Sequence, residues 1–399
     1  MGFVRTEHRA RSVAHVLEAG ITVLRRAMDQ PGFDVTGFGI LGEQDECGGR
    51  IRNHWPVGMA RRDGNRARDE ATLVMNIDKD NVAEYVHTRH LLAPPPEGSC
   101  TVEELGGGFL NTVLRVSAAD RSVVVKQALD ALRLFPDLKV TTDRIVYETR
   151  ALRVLNGLFP EGTVPAVLHF DDAHRILVMS DLGKRPSLET ELERGRVDPA
   201  VAVQLGGFLA TLHRQTWDDR ELRERFDNEA MQGLRYKYCF YFVEDPELNR
   251  IARRLAETFT ETKQALLHGD FWTASVIAAE KRVRTFDLEF VNYGHPAQDA
   301  GFIMAHYLLH AYNNPRVADA VFDAVERLWS TYAEGMGDLL PAATETTALR
   351  QAGLEMLFRI DGINQVRYIT DDGVKARIRQ AARPMMLNDG ISVAGLRHV

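Results

Sequence analysis

Leu105-Gly106-Gly107-Gly108-Phe109-Leu110-Asn111-Thr112-Val113, followed by Ser122-Val123-Val124-Val125-Lys126, is the stretch whose reading decides the fold. Three glycines separate two β-forming runs, Val102-Glu103-Glu104-Leu105 and Thr112 to Val116. The pattern predicts strand, glycine turn, strand, turn, strand: an antiparallel meander. Glycines there permit a tight reversal and let backbone N–H groups approach an anion closely. The plainer alternative is a hairpin turn with no ligand. The spacing is not Gly-x-Gly-x-x-Gly before a helix, so a dinucleotide-binding βαβ unit fits poorly. Lys126 ends a β-branched run, where a charge is costly to bury without a partner. Either its head reaches water at a sheet edge, or a carboxylate holds it for phosphate binding. Glu148, on the next predicted helix, is the candidate partner.

Outward from this stretch the pattern stays regular. Asn81 to His90 reads as a short helix after Asp78 and Asp80, and Ala93-Pro94-Pro95-Pro96 as a stiff connector. Asp143 to Leu158 reads as a helix, Val164 to Phe170 and Arg175 to Met179 as strands, and Pro199 to Arg214 as the start of a mostly helical half. Three parts are expected: an N-terminal extension over 1–74, a β-rich lobe over 75–182, and a helical lobe over 183–399. The extension has eleven arginines and no lysine. One amphipathic helix over Val13 to Met28 is the exception in an otherwise loosely ordered segment.

Two further constellations bear on chemistry. His268-Gly269-Asp270 follows the apolar Ala265-Leu266-Leu267, which puts an Asp on a tight loop, able to take a proton from an attacking hydroxyl. A helix cap or Asx turn is the structural alternative. Phe286-Asp287-Leu288-Glu289-Phe290 reads as a strand, so Asp287 and Glu289 would share one face and suit a hard cation such as Mg²⁺. Glycine turn, lysine, helical glutamate, loop aspartate and carboxylate pair, in that order, are the parts of kinase-type phosphoryl transfer.

Composition bounds the alternatives. The chain has 399 residues, 49 Lys+Arg against 56 Asp+Glu, and a formal net charge of −7. That balance argues against a nucleic-acid partner. Cys47, Cys100 and Cys239 are far apart, with no Cys-x-x-Cys, which excludes a disulfide scaffold or cysteine zinc site and suggests a reducing, cytoplasmic setting. No apolar run is long and uncharged enough for a membrane span, and the charged N-terminus lacks a signal-peptide core. His295, His306 and His310 read as ordinary core or surface histidines rather than a zinc site, because no His-Glu-x-x-His pattern accompanies them.

These segments resemble the aminoglycoside phosphotransferase and choline kinase superfamily, and in more detail the methylthioribose kinases. The resemblance is carried by Gly106 to Val116, Val124 to Leu129, Thr142-Asp143-Arg144 through Glu148, Pro165 to Asp171, Val178 to Leu182, Leu267 to Val276, and Asp287 through Asp299. It implies an α+β, protein-kinase-like two-lobe fold. It further implies that Gly106, Gly107, Gly108 and Asn111 cover the ATP phosphates and that Lys126, paired with Glu148, binds them. Met179, Asp181 and Leu182 would hold adenine through their backbone. Asp270 would be the catalytic base, and Asp287, Glu289 and Ser275 would hold Mg²⁺. Trp272, Phe358 and Arg359 would face the acceptor. The implied partner is a sugar, most closely 5-methylthioribose or another 5-substituted ribose, phosphorylated at the 1-position; a homodimer is also suggested. The family pattern departs from this chain at Phe109, Trp272 and Met356-Leu357-Phe358-Arg359, where only one of two adjacent arginines remains. An antibiotic-modifying phosphotransferase and a catalytically silent binding protein are the competing readings.

Overall fold

The computed structural model describes residues 75–93, 100–105, 110–119, 121–132, 135–279 and 282–399. The extension over 1–74, with its expected helix and Cys47, and the turn residues Gly106 to Phe109 lie outside the described residues.

Helix α1 (Val82–Thr88) precedes the meander β1 (Thr101–Glu104), β2 (Asn111–Ala118) and β3 (Arg121–Ala128). A two-stranded ribbon, β4 (Ala131–Leu132) and β5 (Phe135–Lys139), leads to α2 (Arg144–Leu158), β6 (Val167–Asp171) and β7 (Ile176–Ser180). The main sheet is antiparallel throughout, in the order β1-β2-β3-β7-β6. Its central strand explains the valine run. Val123 and Val125 join Leu114, Val116 and Val178 under α1, in a cluster with Val82, Tyr85 and Val86. Val124 and Ala128 point the other way, into a cluster with Ile145, Leu152 and Leu155 of α2. Both faces are covered, so β3 is apolar on both sides. Alternation puts Lys126 on the α2 face.

The helical lobe follows: α3 (Leu188–Glu193), α4 (Pro199–Gln215), α5 (Arg220–Arg225), α6 (Glu229–Arg235), α7 (Pro246–Glu261), α8 (Ala297–Asn313), α9 (Ala318–Met336), α10 (Thr344–Asp361) and α11 (Asp372–Leu387). Its core runs from Leu205 and Leu209 of α4 through Ile303 and Leu308 of α8 to Leu328, Tyr332, Leu354 and Met386. Between α7 and α8 lie the short strands β8 (Ala265–Leu267), β9 (Val276–Ala279), β10 (Arg282–Thr285) and β11 (Asn292–Gly294). β9 pairs with β10, and β11 with β8, all antiparallel. These two ribbons bring the segment after β8 beside the segment after β10. Among the described residues no helix is long and apolar enough to cross a membrane.

Candidate active site

Lys126 is buried, yet its charge is fully met. Its Nζ lies 2.8 Å from Glu148 on α2 and 2.6 Å from Asp287 in the loop after β10. Burial alone would pull the ammonium down. Asp287, Glu148 and Glu289 outweigh it and hold Lys126 above the ordinary lysine range. Burial likewise works against the Asp287 carboxylate, but Lys126 keeps it below the ordinary range and therefore ionised. The expected Lys126–Glu148 pair is thus formed.

The segment Phe286 to Phe290 is not a strand. It is a turn-containing loop between β10 and β11, with Asp287 at φ +71°. A strand there would have carried Asp287 away from Lys126, whereas the left-handed residue bends its carboxylate back toward β3. Asp287 and Glu289 consequently have different partners. Glu289 Oε2 accepts from Asn111 Nδ2 at 2.8 Å and from Arg144 Nε at 3.2 Å. Arg144 is fully buried; it also donates to the carbonyls of Leu110, Leu129 and Thr141 and to Asn111 Oδ1. The side chain of Asn111, expected on ATP, is therefore committed to this hub. Arg144 fastens Leu110 and Asn111, at the start of β2, to the acidic loop, a role that no spacing in the sequence announces.

Would this loop suit Mg²⁺? Two cations, Lys126 and Arg144, face three carboxylates, Glu148, Asp287 and Glu289; burial pushes Glu289 up to about 7, while Lys126 keeps Asp287 low. The donors are hard oxygens. Among the described residues no group of three or more His, Cys, Asp or Glu side chains forms a ready metal cage. That fits Mg²⁺, which commonly takes one or two carboxylates and completes its shell with substrate phosphates and water. Ser275, on the 3₁₀ turn Thr273–Ser275, is buried and fixed to this loop, because its carbonyl accepts from the Phe286 amide at 3.1 Å.

Asp270 lies on the loop after β8. Gly269 adopts φ +82°, and a Cβ there would stand 2.0 Å from the Phe290 carbonyl oxygen. Only glycine allows the two loops to touch this closely. Asp299 on α8 clamps the same loop, accepting from the His268 amide at 2.7 Å and the Gly269 amide at 2.9 Å, with His213 at 3.3 Å. His268 is buried and bonds Thr285 at 2.8 Å. The Asp270 carboxylate retains 18% exposure and pairs with Arg235 Nη2 at 2.8 Å. Burial raises its pKa against the opposing pull of Arg235.

At the lobe junction Met179 is paired in the sheet opposite Val124. Asp181 accepts Arg115 Nε at 2.7 Å, Arg115 Nη2 at 3.0 Å and Ser122 Oγ at 2.6 Å, so its side chain is an anchor for β2 and β3. Leu182 gives its carbonyl to Arg284 at 2.9 Å. Beside the Asp270 loop, the Arg359 guanidinium lies 4.8 Å from the Trp272 ring centroid and bonds Glu355 at 2.6 Å. Trp272 also meets His306 edge-on at 5.0 Å, and its buried indole N–H has no partner among the described residues. Phe358 is buried behind Arg359 against Phe242, 5.5 Å between ring centroids, so it shapes the site from behind. The structure thus joins Lys126, Glu148 and Asp287, and sets Asp270 on the adjoining loop. Arg144 and Asp299 entered the sequence reading without a role, and Arg235 and Glu355 did not enter it at all.

A β-sheet lobe joined to a helical lobe, with these loops between the two, is a protein-kinase-like phosphotransferase fold. The chain belongs to the phosphotransferase enzyme family (APH), whose model matches residues 101–336. Methylthioribose kinase of Geobacillus sp. is 27% identical over 277 residues, 61% of this chain and 69% of its own length. Methylthioribose kinase of Exiguobacterium sibiricum is 26% identical over 352 residues, 75% of this chain and 90% of its own length. Among solved structures, the amicoumacin kinase hAmiN in complex with AMP-PNP, Ca²⁺ and Ami superposes with a TM-score of 0.50. It is 12% identical and covers 78% of this chain and 94% of its own.

Proposed function

We propose that this protein is a Mg-ATP-dependent small-molecule kinase that phosphorylates a sugar hydroxyl, with 5-methylthioribose or another 5-substituted ribose as acceptor and the 1-phosphate as product. The observation that carries the reaction is the ion-paired cluster of buried Lys126 and Glu148 with the partly exposed Asp287, beside the Asp270 loop. The acceptor reading rests on similarity to methylthioribose kinases at 26–27% identity.

Lys126 binds the nucleotide phosphates, oriented by Glu148. Asp287 and Glu289 would hold the metal, and Ser275 lines its loop. When bound, Mg²⁺ neutralises phosphate charge and orients the transferred group. Asp270 receives the proton of the acceptor hydroxyl as that oxygen bonds to the γ-phosphorus and the bond to the ADP oxygen breaks. Trp272 and Arg359 contact the acceptor, with Phe358 supporting them.

The test is an ADP-release assay with Mg-ATP and 5-methylthioribose, 5-deoxyribose, ribose, two nucleosides and two aminoglycosides. Selective turnover of methylthioribose supports the reading. Turnover confined to a nucleoside or aminoglycoside overturns the acceptor and keeps the reaction. Product formation unchanged in Asp270→Ala overturns the mechanism.

A further inference from the structure

Arg235 is the last residue of α6, where the helix widens into a π-helical turn over Tyr236–Phe240. Such turns re-aim side chains and recur at functional sites. Here the turn delivers a guanidinium to the catalytic loop. Its Nη2 lies 2.8 Å from Asp270 Oδ1 and its side chain is 4% exposed. The guanidinium meets two aromatic rings: its central carbon lies 4.6 Å from the Phe290 ring centroid and 4.7 Å from that of Phe302. Phe290 follows the acidic Glu289, and Phe302 belongs to α8. A buried planar group held against two rings and bonded to a carboxylate has little freedom to turn. Its ion pair with Asp270 therefore has a set direction.

We infer that Arg235 is a positioning residue for phosphoryl transfer, holding Asp270 by Oδ1 so that Oδ2 is presented to the acceptor hydroxyl. This rests on the kinase reading above. The charged groups around Asp270 come from four elements. Arg235 arrives from α6, Arg359 from α10, Asp287 from the loop after β10, and His268 from its own loop. Arg235 also faces Cys239 and Glu355. Arg359 is bound to Glu355 at 2.6 Å, which leaves Arg235 as the cation in direct contact with the Asp270 carboxylate among the described residues. A guanidinium beside a carboxylate favours its charged form, so removing Arg235 must raise the pH at which the base becomes competent.

The test compares Arg235→Gln and Arg235→Lys with the wild type, using Mg-ATP and whichever acceptor of the panel the wild type turns over. A fluorescent ATP analogue confirms that each variant still binds nucleotide. Arg235→Gln is expected to lose about 100-fold in kcat, as for a misplaced catalytic group. Its KM for ATP should stay within about twofold, since the residue touches the base and not the phosphate lysine. The acid limb of its kcat profile moves to higher pH, and Arg235→Lys brings the limb back toward the wild type. A purely structural role would lower the melting temperature and leave that limb unmoved, which overturns the inference. Wild-type silence on every acceptor overturns the kinase reading instead, and with it the role.

Discussion

Lys126 shows how one residue sets the terms for its neighbours. Its ammonium is shared by Glu148, which is buried, and by Asp287, whose side chain is 35% exposed. Removing one partner of a buried pair strands the others. Lys126→Met should therefore destabilise the fold by about 3–5 kcal/mol in urea unfolding and abolish nucleotide binding. Adding Glu148→Gln should recover part of that stability and none of the binding; a double variant no more stable than Lys126→Met would contradict this. Glu189, on α3, carries a pH prediction. Burial pushes its carboxyl from 4.5 up to about 7, with Glu193 adding to the rise. The folded protein holds this proton more tightly than the unfolded chain does. Stability contributed by the protonated form is complete near pH 4.5 and is withdrawn as pH climbs through 7. Glu189→Gln should match the wild type near pH 4.5 and melt at a higher temperature at pH 8.

At the scale of elements, the critical unit is the pair of loops after β8 and β10. Gly269 meets the Phe290 carbonyl, and Asp299 holds the loop amides. Gly269→Ala faces a left-handed φ, worth about 1–2 kcal/mol, and a clash that drives the Asp270 loop from the Asp287 loop. We expect its kcat to fall more than tenfold with the melting temperature only modestly lowered, since misplacement at a reacting centre costs rate steeply. Near-normal turnover would mean the loops need not touch. The elements also show what a sequence discloses. The meander, α2 and the loop Asp270 were legible because alternation, helical spacing and a glycine are local signals. The strand expected over Phe286 to Phe290 was not found, because its alternating pattern is equally that of a loop whose apolar residues pack inward. Leu288 is buried while Asp287 turns to Lys126 at φ +71°. Arg235 gave no signal at all: its meaning comes from a π-helical turn and two aromatic rings brought from distant segments.

The whole molecule joins a sheet covered on both faces to a helical lobe, with Lys126, Asp270 and the acidic loop where they meet. We propose that the folded kinase unit starts at Met75, with the lobes dividing near residue 182. The first described residues are tied to the central strand: Gln127 donates to the Met75 carbonyl at 2.7 Å and accepts from the Ile77 amide at 2.8 Å. A chain beginning at Met75 should keep the melting temperature and nucleotide affinity of the full chain, whereas one beginning at Leu91 loses α1 and exposes Val123 and Val125. The site itself makes the broadest prediction. Lys126 and Arg144 pair with Glu148, Asp287 and Glu289, and the 35% exposed Asp287 carboxylate is the one of the three that a phosphate-bound cation can reach. Mg²⁺ and ATP should therefore stabilise the fold together far more than either does alone. A ligand at 100 times its Kd adds about 2.7 kcal/mol. For a domain of this size such a gain raises the melting temperature by several degrees, which thermal unfolding with ATP and either Mg²⁺ or EDTA will read. Chelation should remove most of that shift, and Asp287→Asn should remove it in the presence of Mg²⁺. An equal shift with EDTA would mean that Lys126 and the backbone bind the nucleotide without the acidic loop, leaving Asp287 as the partner of the lysine alone.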